Sequence, residues 1–190
     1  MTRLAVFASG TGSNYEALQE AIEQGSLDAE IALLVCDKPH AAVVEKANGI
    51  DTFVFEPKQF SNKIAFETEI VKQLREKGVE WIILAGYMRI VGETLLHAYE
   101  GKMINIHPSL LPSFPGLDAI GQAMEAGVKV TGVTIHYVDA GMDTGKIIAQ
   151  EAVAVADDMK KADLQAAIQR VEHTLYPTTI QKLIREGESS

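Results

Sequence analysis

The 190 residues suffice for one domain with a sizeable core, or for two small ones at most. Hydrophobic residues make up 47% and charged residues 23%, an ordinary globular balance that argues against a disordered chain. The formal net charge of -9 argues against a non-specific nucleic-acid binder, which needs a basic face to neutralise phosphates, but leaves room for a locally positive pocket that takes a small anion. The single cysteine, Cys36, excludes an intrachain disulfide, and the apolar run Ile31 to Cys36 marks it as a small buried core residue. Met1 to Ser9 is too short, and too soon interrupted by Gly10 and Gly12, for a secretory signal. No apolar stretch approaches the roughly 20 residues of a membrane span. Cytoplasmic residence with no membrane partner is therefore expected.

Leu4 to Ala8 reads as a buried strand feeding a glycine-rich loop. Asn14 can cap a helix with apolar positions Ala17, Leu18, Ala21 and Ile22, stopped by Gly25. Ile31 to Cys36 is a second strand, Ala41 to Asn48 a helix, and Asp51 to Phe55 a short third strand. Ile64 to Lys77 is a helix with Phe66, Ile70, Val71 and Leu74 on one face. Trp81 to Ala85, Val91 to Tyr99 and Met103 to Ile106 read as strand, helix and strand. Val130 to Val138 and Ile147 to Val155 alternate in polarity, and a turn-rich loop separates them. Lys161 to Arg185 has a helical pattern that Pro177 is expected to kink or break.

Continuous apolar strands alternating with helices predict an α/β fold. The sheet is open, doubly wound and mostly parallel, with helices on both faces and an antiparallel element in the C-terminal part. Ligands in such sheets bind beyond the carboxyl ends of the strands. That points to Ser9 to Asn14, Gly86 to Arg89 and His107 to Gly116. No repeat, low-complexity tract or linker interrupts the chain, so 1–190 is read as one domain.

Three clusters carry chemistry. In Ser9-Gly10-Thr11-Gly12-Ser13-Asn14, glycines between a strand and a helix start can converge backbone N–H groups on an anion, or can simply make a tight turn. The run lacks the third glycine of a dinucleotide fingerprint and the lysine of a nucleotide P-loop, so a monophosphate fits better. In Asn105-Ile106-His107-Pro108, the period of two sends Asn105 and His107 the same way, with Pro108 ending the strand beneath them. A carboxamide donor and a group that titrates near neutrality at a ligand-bearing edge favour function over a structural histidine. Asp139 and Asp143 could set a carboxylate beside that imidazole, although spacing alone reads them as ordinary turn aspartates. His40, His97, His136 and His173 show no metal-ligand spacing, and no metal is expected. Met88, Ile90 and Val91 are either core or one wall of an apolar slot, and Arg89 either a surface charge or a ligand's ion-pair partner.

Together with Leu84-Ala85-Gly86-Tyr87-Met88-Arg89, Leu110-Leu111-Pro112 and the loop Asp139 to Gly145, these motifs resemble the folate-dependent phosphoribosylglycinamide formyltransferase family, from Leu4 to about Leu183. The resemblance implies a phosphate-binding half over about 1–100 and a catalytic and folate-binding half over about 101–186. It implies two small-molecule substrates, glycinamide ribonucleotide and the donor 10-formyltetrahydrofolate, and leaves a homodimer open. It implies catalysis by Asn105, His107 and Asp143, and substrate binding by Gly12, Ser13, Asn14, Gln169, Arg170 and Glu172. The implied folate site comprises Lys63, Met88, Arg89, Ile90 and Val91, together with Asn105 and the loop Asp139, Ala140, Gly141, Met142 and Asp143. Lys146, where many relatives have proline, and Asp118, where some have histidine, depart from the pattern without touching the trio. Methionyl-tRNA formyltransferase and formyltetrahydrofolate hydrolase share part of the motif set. Each is expected to carry an additional domain absent from this chain.

Overall fold

Alternation along the first strand sets up two cores. The computed structural model describes residues 1–190. In β1 (Thr2–Ala8), Leu4, Val6 and Ala8 pack to one side of the sheet, and Ala5 and Phe7 to the other, all fully buried. On the first side lie α1 (Ser13–Glu23) and α6 (Lys161–Glu188), supplying Tyr15, Leu18, Ile168, Tyr176 and Ile180. On the second lie α3 (Lys63–Glu76) and α4 (Glu93–Ala98), supplying Phe66, Ile70, Leu74 and Leu95. A strand sandwiched between helices needs both of its faces apolar, which is why the parallel strands read as unbroken hydrophobic runs.

The remaining elements are β2 (Ala29–Cys36), α2 (Ala42–Lys46), β3 (Thr52–Val54), β4 (Trp81–Leu84), β5 (Met103–His107), α5 (Ala119–Ala126), β6 (Val130–Tyr137) and β7 (Ile147–Ala154). The seven strands run in the order β3-β2-β1-β4-β5-β6-β7. The first five are parallel, and β6 and β7 are added antiparallel, as expected from the alternating C-terminal segments. From β1 the chain steps outward through β2 and β3, then returns to start β4 on the opposite side of β1. The loops leaving β1 and β4 therefore diverge and open a crevice at the carboxyl edge.

Three local expectations need correction. Asn14 does not cap α1. Gly12 holds the cap position in a left-handed conformation (φ 79°), and Asn14 lies inside the helix. The helix α5 has no counterpart among the expected elements, because it is short and Gly121 interrupts it. That glycine makes room for the cap: the Asp118 carboxylate accepts its N–H at 3.2 Å, and a Cβ at 121 would lie 2.2 Å from that carboxylate. Finally, α6 runs unbroken through Pro177. Proline removes one backbone donor, but Ile168 and Tyr176 before it and Ile180 and Ile184 after it are buried in the same core, and that shared burial holds the two halves in line.

Tyr176 ties α6 to the sheet. Its fully buried hydroxyl donates to the Leu84 carbonyl at 2.7 Å and lies 3.3 Å from that of Ile104. Tyr176→Phe is expected to lower the unfolding free energy by about 1–3 kcal/mol, since it strands buried acceptors without changing shape. Urea denaturation monitored by circular dichroism would check this.

Candidate active site

Helices α3 and α4 cover one face of the sheet only as far as Met103 of β5. Beyond it, Asn105 and His107 occupy the same face with no helix above them. The antiparallel register sets Asn105 opposite His136 and His107 opposite Thr134, so two strands present polar side chains where the rest of the sheet presents core. A cavity of about 510 Å³ opens over them, reached also by Asn14, Gly86 to Val91, Gly116 to Ile120, the loop after β6, and Lys161, Gln165 and Glu172 of α6. Thr134 anchors the rim: its hydroxyl donates to the Ser109 carbonyl and accepts the Leu111 N–H, at 2.7 and 3.0 Å.

Asp143 is the hub. Its backbone is left-handed (φ 55°), an unusual state for a non-glycine residue, and its carboxylate turns inward. Oδ2 accepts the Gly116 N–H at 2.8 Å and lies 3.5 Å from Nδ1 of His107. Oδ1 lies 3.7 Å from Nε2 of His136, too far for a hydrogen bond but close enough for charge attraction. Burial alone would push the Asp143 carboxyl up. The His136 imidazole, the Gly116 N–H and the charge of His107 outweigh burial and hold it below the usual carboxylate range. The far nitrogens of both rings are committed to backbone carbonyls, Nε2 of His107 to Phe114 at 2.9 Å and Nδ1 of His136 to Tyr137 at 2.8 Å. Carbonyls only accept, so those nitrogens carry the protons. The nitrogens facing Asp143 then attract it only when the rings are cationic. His136 is the residue that sequence reasoning missed. Its one available signal was strand parity with the partner of Asn105, which requires the β5–β6 register. Gly145 closes this loop, because a Cβ there would lie 1.6 Å from the Tyr137 carbonyl oxygen.

At one end of the cavity, α1 begins at the glycine loop. Its first N–H groups have no carbonyl to bond within the helix, and they form an anion-receptive terminus. A Cβ on Gly12 would lie 2.6 Å from the Val43 side chain and 3.1 Å from its Cα, so only glycine fits. Asn14 donates from Nδ2 to Glu172 at 3.2 Å, and its Oδ1 is buried without a partner. Asn14 and Glu172 line the cavity, whereas Gly12, Ser13, Gln169 and Arg170 lie outside its lining and Arg170 is exposed. Gln165, one turn before Gln169, lines the cavity instead. At the other end, Met88, Arg89, Ile90 and Val91 form a wall braced from behind. Lys63 donates to the Ile90 carbonyl at 2.8 Å, and Glu67 accepts the Gly92 N–H at 2.8 Å. Lys63 thus supports this wall without lining it. Met88, Ile90, Leu117 and Met142 are at least half exposed and rim the opening. Of the loop after β6, Asp139, Gly141, Met142 and Asp143 line the cavity and Ala140 does not. Asp139 shapes the loop by accepting from Gly141 N and Thr144 Oγ1 at 2.9 and 2.7 Å.

No group of three or more His, Cys, Asp or Glu side chains is arranged to hold a metal ion, and no helix is long and apolar enough to cross a membrane. Residues 2–180 match the formyl transferase family model. Over 186 residues the chain is 55% identical to the phosphoribosylglycinamide formyltransferase of Bacillus subtilis, covering 97% of this chain and 95% of that one. The chain belongs to the phosphoribosylglycinamide formyltransferase family. Its members include a solved glycinamide ribonucleotide transformylase 1 from Geobacillus kaustophilus, which superposes with a TM-score of 0.94 at 56% identity over 96% of this chain and 98% of that chain. The trifunctional purine biosynthetic protein adenosine-3 of Homo sapiens is 41% identical over 187 residues, 97% of this chain and 18% of that longer one. The chain is accordingly a transferase with the family's Rossmann-like sheet.

Glu172 provides a pH test of the site. Burial pushes its carboxyl from the ordinary 4.5 to about 7, against the opposing hydrogen bond from Asn14. The folded state then holds this proton more tightly than the unfolded chain does. The group costs nothing below about pH 4.5, and its penalty grows up to pH 7, reaching on the order of 3 kcal/mol. Glu172→Gln should therefore match the parent in stability near pH 4.5 and exceed it near pH 8. Denaturant melts at the two pH values measure the difference.

Proposed function

We propose that this enzyme transfers a formyl group from 10-formyltetrahydrofolate to the primary amine of glycinamide ribonucleotide, a step of de novo purine biosynthesis. The observation that carries this reading is the meeting of His107 and Asp143 beside Asn105, in a cavity with an anion-receptive helix start at one end and an apolar wall at the other. The names of the relatives support it. The α1 terminus would take the substrate phosphate, with Asn14 and Glu172 along its ribose and amine. The buried, unpartnered Oδ1 of Asn14 fits a site built for a hydrogen-bonding ligand. A flat aromatic donor fits the slot between Met88 to Val91 and the Asp139 to Asp143 loop. The donor supplies the electrophilic formyl carbon.

The protein's part is electrostatic. The Asn105 carboxamide makes no hydrogen bond within the protein and lines the cavity, free to donate to the formyl oxygen as the amine adds and that oxygen turns negative. With Nε2 of His107 anchored on Phe114, its Nδ1 proton is the one available, loosely held by Asp143 at 3.5 Å. One preorganised donor of this kind contributes roughly 3–4 kcal/mol to a developing oxyanion. Asp143, kept ionised by its surroundings, balances the imidazolium and can pass the attacking nitrogen's surplus proton through a water to the leaving nitrogen. No covalent link to the enzyme is required.

Mixing the protein with both substrates should release tetrahydrofolate only when the ribonucleotide is present. Release without it would replace transfer by hydrolysis. His107→Ala and Asp143→Asn should each lower kcat by about 10³-fold or more while the KM for the donor stays within a few-fold. Normal turnover in either variant removes these residues from the mechanism. Gly12→Val, in a protein shown to be folded by its melting curve, should raise the ribonucleotide KM by at least about tenfold, and an unchanged KM would move the phosphate elsewhere.

A further inference from the structure

Asp37, at the carboxyl end of β2, is 4% exposed and takes no part in the chemistry above, yet it joins three loops of the crevice. Its Oδ1 accepts the Ser9 hydroxyl proton at 2.5 Å, from the loop after β1. The same Ser9 oxygen accepts the Met88 N–H at 3.0 Å, from the loop after β4. Its Oδ2 accepts Nε of Arg89 at 2.7 Å. The guanidinium also lies over the Phe66 ring of α3, with its carbon 5.8 Å from the centroid. The Arg89 side chain is thus gripped at its inner nitrogen and on one face, while it remains 37% exposed, lines the cavity, and has no protein partner for its two terminal nitrogens.

That pattern has a chemical meaning. A guanidinium bonded through Nε still offers two parallel N–H donors, the geometry that a carboxylate matches in bidentate fashion. Arg89 and Lys161 are the only lysine or arginine side chains lining the cavity, and Lys161 is already paired with Asp118 at 2.8 Å. Arg89 is therefore the cation free to meet an anionic ligand group at the Met88 to Val91 end. Resting on the folate reading above, we propose that Asp37 is a positioning residue: it fixes the Arg89 fork for a carboxylate on the amino-acid tail of the donor. Through Ser9 it also holds the donor wall in register with the loop leading to the phosphate site. Left ungripped, an arginine on an exposed loop would sample many rotamers, and ordering it would weaken binding.

The test pairs variants with donors. Asp37→Asn keeps the shape but removes the charge. Arg89→Lys keeps a cation but loses the planar fork, so it cannot grip Asp37 through one nitrogen while offering two parallel donors to a carboxylate. Binding of tetrahydrofolate is measured by calorimetry, and steady-state constants with 10-formyltetrahydrofolate. Both are repeated with forms whose tail carboxylates are converted to amides. Each variant should raise the Kd and KM for the charged ligand about tenfold, with kcat and the ribonucleotide KM within about twofold. For the amide ligand, Asp37→Asn and the parent should agree within about twofold, because no carboxylate remains to be gripped. An equal loss on both ligands would make Asp37 merely structural, and no loss on either would remove it from donor binding. Both results overturn the proposal while leaving the formyl-transfer reading intact. A parent protein that binds neither ligand overturns both.

Discussion

A single carboxylate, largely withdrawn from water, organises this site. Asp143 is delivered from strained left-handed backbone, and burying its charge alone would cost several kcal/mol. The charge is tolerated because a backbone N–H donates to it and two imidazoles converge on it, each held from behind by a carbonyl and able to attract the carboxylate once its ring is cationic. Breaking any of these contacts leaves the Asp143 charge less compensated. The loops Phe114 to Gly116 and Asp139 to Asp143 are therefore coupled to β5 and β6 through electrostatics as well as through chain connectivity.

The sheet makes the convergence feasible. Five parallel strands, all but the edge strand β3 largely buried on both faces, form a rigid platform, and the reversal of strand order beside β1 opens its carboxyl edge. Adding β6 antiparallel places His136 across from Asn105, a pairing that a parallel crossover would not produce. The cavity then has two unlike ends. One is polar and ends on a helix terminus. The other is apolar, braced by Lys63 and Glu67 of α3 and gripped through Ser9 and Asp37. On this acidic protein the positive potential of the cavity is local, set by a helix start and one free guanidinium.

The order of the strands and of every α-helix but α5, the parallel-then-antiparallel sheet and the candidate trio were legible in the chain, since burial periodicity and proline or glycine punctuation are local signals. The glycine loop was legible as a turn that could hold an anion. Its cap was not, because choosing Gly12 over Asn14 depends on the close approach of Val43 from α2. The continuity of α6 through Pro177 was likewise hidden, since it rests on core contacts on both sides of the proline. His136 and Gln165 at the cavity, and Lys63 as a brace, followed from packing between elements far apart in sequence.

By itself the sequence determined the fold class, the segments that reach the ligand edge and the residue types available for chemistry, because these depend on side-chain period and on nearest neighbours along the chain. Tertiary structure alone decided which of those residues meet. The inward turn of Asp143, its place between two histidines, and the grip of Asp37 on Arg89 are distances between loops, fixed only once the register of β5 with β6 and the divergence of β1 from β4 bring those loops together.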